Sequence, residues 1–209
     1  MYNTPTSLTY TRLDKAYDYF NDKLFDKQLP SCLITMQRKS KAYGYFCGDR
    51  FANHENAKEI TDEIALNPSY FAECSAESIL STLVHEMVHL WQHHFGKRPT
   101  RCYHDRQWSA KMKAVGLHPS ETGEFGGKET GSKMSHYIIE NGLFYTACAS
   151  FIETHGTVFY QDTMTVVTAN KSTGRIKFSC DGCGLNAWAK PTAVLFCGEC
   201  NVMLIPAKS

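Results

Sequence analysis

Two groups of residues in this chain have the types and spacing for metal chemistry. The first is His85-Glu86-Met87-Val88-His89. A helix advances about 100° per residue, so positions i and i+4 share a face and two imidazoles can meet one ion. Glu86 projects beside them. Zinc takes about four ligands, and a catalytic site leaves one position for water. Zinc there polarises a carbonyl and activates water, and a neighbouring carboxylate accepts the proton. The motif therefore supplies two ligands and a general base for hydrolysis. Ile79, Leu80, Leu83, Val84, Met87, Val88, Leu90 and Trp91 surround it, so the helix is apolar around most of its circumference. Two histidines and a glutamate buried there carry a desolvation cost unless they bind something.

A third ligand must come from elsewhere. His93 continues the same face but lies about 12 Å along the axis from His85, too far to share an ion. A third histidine directly downstream at the metzincin spacing would fall on Phe95, which excludes that class. His104, His118, Glu121 and Glu124 remain open on spacing alone. His93 and His94 read as exposed helix-end residues, favourable near the negative end of the dipole.

The second group is Cys180-Asp181-Gly182-Cys183 and Cys197-Gly198-Glu199-Cys200, separated by 13 residues. Two such thiolate pairs at this spacing predict a four-cysteine zinc ribbon whose ion is structural, because four thiolates leave no open position. Glycines at 182, 184 and 198 suit the tight knuckles. Between the pairs, Trp188 and Lys190 offer an aromatic beside a cation. Exposed, Trp188 would stack on an unpaired base while Lys190 meets phosphate; buried, it would fill the ribbon's small core.

The elements that must hold these groups read as follows. Residues 9–25 place Leu13, Ala16, Tyr17, Phe20, Leu24 and Phe25 on one helical face. Strands are expected at 32–37, 43–51 and 63–66. Ser75 is the expected N-cap of a helix from Ala76 to about Phe95, and a further helix follows from about Asp105 to Val115. Residues 119–135 are rich in Gly, Ser, Thr and charge and read as a linker or mobile loop. A strand-like HYIIE, a helix from Leu143 to Ile152, a β-branched stretch Thr163–Thr168 and a strand Arg175–Ser179 complete the chain.

The composition, 43% hydrophobic and 12% aromatic over 209 residues, is that of one folded domain with room for a small accessory module, and excludes a disordered chain. The net charge of +1 requires no polyanionic partner. Residues 97–133 and 166–209 are mildly basic. Cys32, Cys47, Cys74, Cys102 and Cys148 lack a regular spacing and read as free thiols of a reducing compartment. With neither a secretory leader nor a run of about 20 apolar residues in view, the expected location is cytoplasmic, away from membranes.

The chain resembles the SprT-like family of zinc metalloproteases over about residues 7–118 and again around the cysteine pairs. The likeness rests on the amphipathic first helix leading to Leu29-Pro30, on Glu63-Ile64-Ala65-Leu66-Asn67-Pro68, and on HExxH followed 15 residues later by His104. Asp105 stands where the family usually has glycine, while Trp108 follows where an aromatic is typical. The resemblance implies His104 as the third zinc ligand. It also implies an α+β architecture: a minimal zincin-like domain (1–118), a linker or loop (119–135), and a C-terminal region (136–209) with the ribbon at about 175–205. It further implies an endopeptidase with two zinc ions, one catalytic and one structural. Such an enzyme would act on DNA-associated or DNA-crosslinked proteins, with single-stranded DNA as a partner of the ribbon. The alternative from another class is a nucleic-acid-binding regulatory protein that keeps the protease-like domain as a scaffold; the intact Glu86 argues against it.

Overall fold

The computed structural model describes residues 4–99, 103–157, 160–164 and 175–206, and its contacts divide into two compact units, 1–165 and 166–209. The architecture is α+β. Helix α1 (Pro5–Phe25) begins earlier than the apolar periodicity suggests, because Thr4 caps it and Pro5 occupies its first turn, where a missing N–H costs nothing. Leu13, Ala16, Tyr17, Phe20, Leu24 and Phe25 are all buried, as their spacing predicts. The turn after α1 is tied by Asn21, whose amide donates to the Leu29 carbonyl at 3.0 Å and accepts from its N–H at 3.1 Å.

Strands β1 (Leu33–Met36), β2 (Gly44–Ala52) and β3 (Ile60–Leu66) form a three-stranded sheet in the order β1-β3-β2. β3 is the central strand, parallel to β1 and antiparallel to β2, and its last five residues are buried. The Asn67-Pro68 break then turns the chain into a 3₁₀ helix (Pro68–Glu73). Buried Asn67 holds this corner by donating to the carbonyls of Lys39 and Ala42 at 2.7 and 2.8 Å.

Helix α2 (Ala76–Phe95) starts at the expected Ser75 cap, whose hydroxyl accepts from Ser78 N–H. It runs through the middle of the unit, with Leu83, Val84, Met87, Val88 and Leu90 all inaccessible. Helix α3 (Arg106–Ala114) is capped by Asp105, which accepts from Trp108 N–H at 2.9 Å. The same carboxylate oxygen accepts from the Gln92 amide at 2.9 Å, so Asp105 joins α2 to the start of α3.

The segment 119–135 does not separate two units. It connects β4 (Leu117–Ser120) to β5 (Ser135–Ile138), an antiparallel pair, and the chain stays in the first unit through α4 (Leu143–His155). Its glycines give the composition of a linker but serve a tight path: Gly123, Gly126 and Gly127 all have positive φ, which glycine adopts without strain. α4 closes the core from the side of α1, with Phe144 and Phe151 packed on Phe20 at ring centroid distances of 5.5 and 5.7 Å. Most of the expected β-branched strand near 163–168 lies outside the described residues, as does Cys102.

The second unit is a small antiparallel sheet in the order β7-β6-β8, made of β6 (Ile176–Ser179), β7 (Asn186–Ala189) and β8 (Ile205–Pro206). Its core consists of little more than Phe178, Leu204, Cys180 and Cys197. So few apolar side chains cannot stabilise a module of this size without a cross-link or metal.

Candidate metal centres

The nitrogens of His85, His89 and His104 lie within 4.8 Å of one another. α2 presents the first two one turn apart. His104 reaches them because Asp105 starts α3 close against the end of α2, and because Gly131 grips it from the loop. His104 N–H donates to the Gly131 carbonyl at 2.9 Å, Gly131 N–H donates back at 3.0 Å, and His104 Nδ1 lies 3.0 Å from the same carbonyl. Of the four candidates for a third ligand, the structure brings only His104 to this cluster. His118 stacks on Tyr137 and faces Glu129, Glu121 lies 3.9 Å from Lys128, and Glu124 is exposed.

The hydrogen bonds around the cluster decide which ring atoms face inward. A carbonyl only accepts, so His104 Nδ1 carries its proton toward Gly131 and leaves the Nε2 lone pair for the cluster. His85 is settled by a longer chain. The Ser81 hydroxyl donates to the Ser78 carbonyl at 2.9 Å, so it accepts from His136 Nε2, also at 2.9 Å. His136 Nδ1 is then an acceptor, and His85 Nδ1, 3.1 Å away, must be the donor. His85 Nε2 is left with a free lone pair. An outer partner that fixes tautomer and ring orientation in this way is the usual support of a metal-ligating histidine.

Burial holds every imidazole here in the neutral form that ligates. It drives His85 well below its ordinary value, helped by the neighbouring imidazoles, and lowers His104. It brings His89 down to about 3 and His136 to about 4. Trp108, inaccessible to solvent, walls the site: its ring stacks on His89 at 5.4 Å and meets His104 edge-on at 4.4 Å. Glu86 is buried on the side of α2 that faces β2. Burial raises its carboxyl to about 8, while Lys39 and a hydrogen bond from Phe46 N–H pull the other way. Gly44 permits this close packing, since a Cβ there would sit 2.8 Å from the Ala65 carbonyl and 3.2 Å from Glu86 Oε1.

Three neutral imidazoles converging on one point, two with inward lone pairs assigned, fit a borderline divalent cation such as zinc. His136 was not among the residues singled out from the sequence. A histidine inside a short strand is its only local signal, and its partners lie 51 and 55 residues away.

In the second unit the four sulfurs of Cys180, Cys183, Cys197 and Cys200 also lie within 4.8 Å of one another. The two knuckles repeat one backbone pattern. Gly184 N–H donates to the Cys180 carbonyl and Cys180 N–H to Leu185; Asn201 N–H donates to Cys197 and Cys197 N–H to Val202. The matching positions Gly184 and Asn201 both have positive φ, 74° and 55°, which glycine and asparagine tolerate best. A Cβ on Gly182 would lie 2.9 Å from Cys200 Sγ, so that glycine makes room for the sulfurs. The N–H groups of Cys183 and Gly182 lower the Cys180 thiol to about 7, whereas the neighbouring thiols push Cys200 up to about 12. Four sulfurs so close cannot all ionise without a cation between them, and the set fits a structural zinc.

Trp188 stands outside the ribbon core, 60% exposed. It lies directly across the strand pair from Lys177, and Lys190, also exposed, follows two residues later. Among the described residues no helix is long and apolar enough to cross a membrane.

Comparison with known proteins places the first unit. The model of the SprT-like family matches residues 13–126, a span holding all three clustered histidines and Glu86. A Salmonella typhimurium protein described as an uncharacterized protein in the mucB 3' region is 50% identical over 62 residues, covering 30% of this chain and 82% of that protein.

Proposed function

Because this chain belongs to the SprT-like family, we propose that it is a zinc-dependent endopeptidase acting on DNA-associated or DNA-crosslinked proteins. The observation that carries this reading is the convergence of neutral His85, His89 and His104 with buried Glu86 at the adjoining position of the same helix. When bound there, zinc would supply Lewis-acid polarisation of the scissile carbonyl and of the attacking water. The three imidazoles would hold it, and His136 and Gly131 would keep two of those rings aimed. Glu86 accepts the proton of the attacking water and passes it to the leaving amine. Burial gives this carboxyl an affinity for protons near neutrality, which suits a group that must both take and return one. A cation at the adjacent site favours its ionised form at the start of the cycle.

The ribbon would hold the second zinc through its four cysteines. It would offer Trp188, Lys177 and Lys190 to single-stranded DNA, stacking an unpaired base between two phosphate-seeking cations. The exposed Trp188 supports this role over core packing.

The test is incubation of the full chain with a basic DNA-binding protein, with and without single-stranded DNA, beside Glu86→Gln as control. Cleavage by wild type alone, accelerated by the DNA, is expected. If wild type leaves the substrate intact under every condition, the peptidase reading falls; if it cleaves at the same rate with and without DNA, only the targeting role falls.

A further inference from the structure

A third cluster of metal-binding side chains sits at the far end of α2, built from residues that the histidine site and the ribbon do not use. Asp62 on β3 is buried, and His94 Nε2 lies 2.7 Å from its Oδ2. His93 Nε2 lies 3.8 Å from Asp62 Oδ1 and 3.3 Å from Asp49 Oδ2. The donor atoms of Asp62, His93 and His94 fall within 4.8 Å of one another. These spacings bracket the edge of about 3.3 Å expected between ligands that share one zinc at about 2.0–2.1 Å.

Three features show that the arrangement is built. His93 Nε2 is buried and makes no hydrogen bond despite the two carboxylates beside it. Proton or lone pair, that atom is unmet, and a buried unmet polar atom is costly. Gly48 opens the space for the ring: a Cβ there would come within 2.3–2.8 Å of three atoms of His93. The register of β2 shifts between Cys47 and Phe51, and within that irregularity Asp49 takes a positive φ of 54°. Its N–H thereby donates to Asp62 Oδ1 at 2.8 Å, and its own carboxylate turns to the cluster.

We propose that Asp62, His93 and His94, with Asp49 at the rim, bind a third divalent cation of the zinc class. Two imidazoles and two carboxylates are donors that first-row divalent ions share, and the two acidic charges balance the ion. Arg98 lies 3.6 Å from Asp49 Oδ2, mostly exposed, with its Nε donating to the His93 carbonyl. The ion would pin the end of the helix that carries His85 and His89 to β2 and β3.

The test is zinc stoichiometry of the full chain, stripped with a chelator and retitrated against a chromophoric competitor. Wild type is expected to take three equivalents. Both His94→Gln and the double variant His93→Gln/His94→Gln should take two, and His94 is exposed enough for the single change to fold. A count that is the same in wild type and the double variant overturns the proposal. The proposal also rests on the other two sites, and His85→Ala separates them: a count that drops with His85→Ala but ignores the His93 and His94 changes leaves the histidine centre standing and removes the third site. A count that ignores His85→Ala but drops with the double variant does the reverse.

Discussion

Replacing His136 by alanine tests the support of the histidine cluster more sharply than replacing a ligand. The ring touches the cluster only through the 3.1 Å contact between its Nδ1 and His85 Nδ1, while its Nε2 is spent on Ser81. Truncation leaves the His85 Nδ1–H without this partner. Losing an outer partner of this kind costs about 10–100-fold in metal affinity, which at about 1.36 kcal/mol per decade is about 1.4–2.7 kcal/mol. The buried donor left unmet costs the folded protein about 1–3 kcal/mol besides. Ser81→Ala should weaken binding less, because it removes only the group that sets the His136 tautomer. Cobalt titration of the His93→Gln/His94→Gln background separates the sites, since sulfur-to-cobalt charge-transfer bands report the ribbon alone and the d–d intensity that rises without them reports the imidazole site. His136→Ala should shift the second signal and leave the first in place. Unchanged affinity at the histidine site would refute the tautomer chain. A loss far beyond 100-fold, with Ser81→Ala silent, would make His136 a direct ligand.

Glu86→Gln keeps size and polarity but accepts no proton, so cleavage should fall roughly 10²–10⁴-fold with zinc content unchanged; a variant that cuts at the wild-type rate removes Glu86 as the base. In metal-free protein, His85, His89 and His136 are buried below their ordinary value, so the unfolded chain takes up protons first and stability is lost as pH falls from about 6.5 toward 4. Glu86, raised to about 8, acts in the opposite sense: the folded state keeps a proton that the unfolded chain releases, and stability falls as pH rises from about 4.5 to 8. The urea midpoint of metal-free protein should therefore peak near pH 6.5, and a midpoint that is flat between about pH 5 and 6.5 contradicts this account. Trp188→Ala should abolish stimulation by single-stranded DNA, at about 1–3 kcal/mol per lost stack, while DNA-independent cleavage persists; fluorescence titration with labelled oligonucleotides checks it, and undiminished binding places the DNA elsewhere.

Features written in local periodicity were the legible ones. The buried face of α1, the Ser75 cap, the HExxH turn and the paired cysteines each depend on residues within one or two turns of each other. His104 was different: spacing left four candidates, with His104 at the start of the next helix the best placed, and the family likeness strengthened it; its place depends on Asp105 and Gly131 acting together. β4 was missed altogether. Its four residues include Pro119 and alternate too briefly to register, and its partner lies beyond a glycine-rich loop. That loop read as a linker because composition cannot tell a flexible spacer from a tight path of positive-φ glycines. His93 and His94 were read as exposed helix-end residues. His93 is instead largely buried against Gly48, a pairing across 45 residues that no local pattern reveals.

The grip of Gly131 on His104 and of His136 on His85 orders events in the life of the chain. Both supporting groups lie after residue 126, where the family match ends, whereas every clustered histidine lies before it. A nascent chain that has emerged only that far carries the metal-binding rings without the groups that aim two of them. The aimed set of rings is thus complete only once the strand Ser135–Ile138 is free to pair with Leu117–Ser120, so the finished metal site waits on a segment made after all three of its ligands.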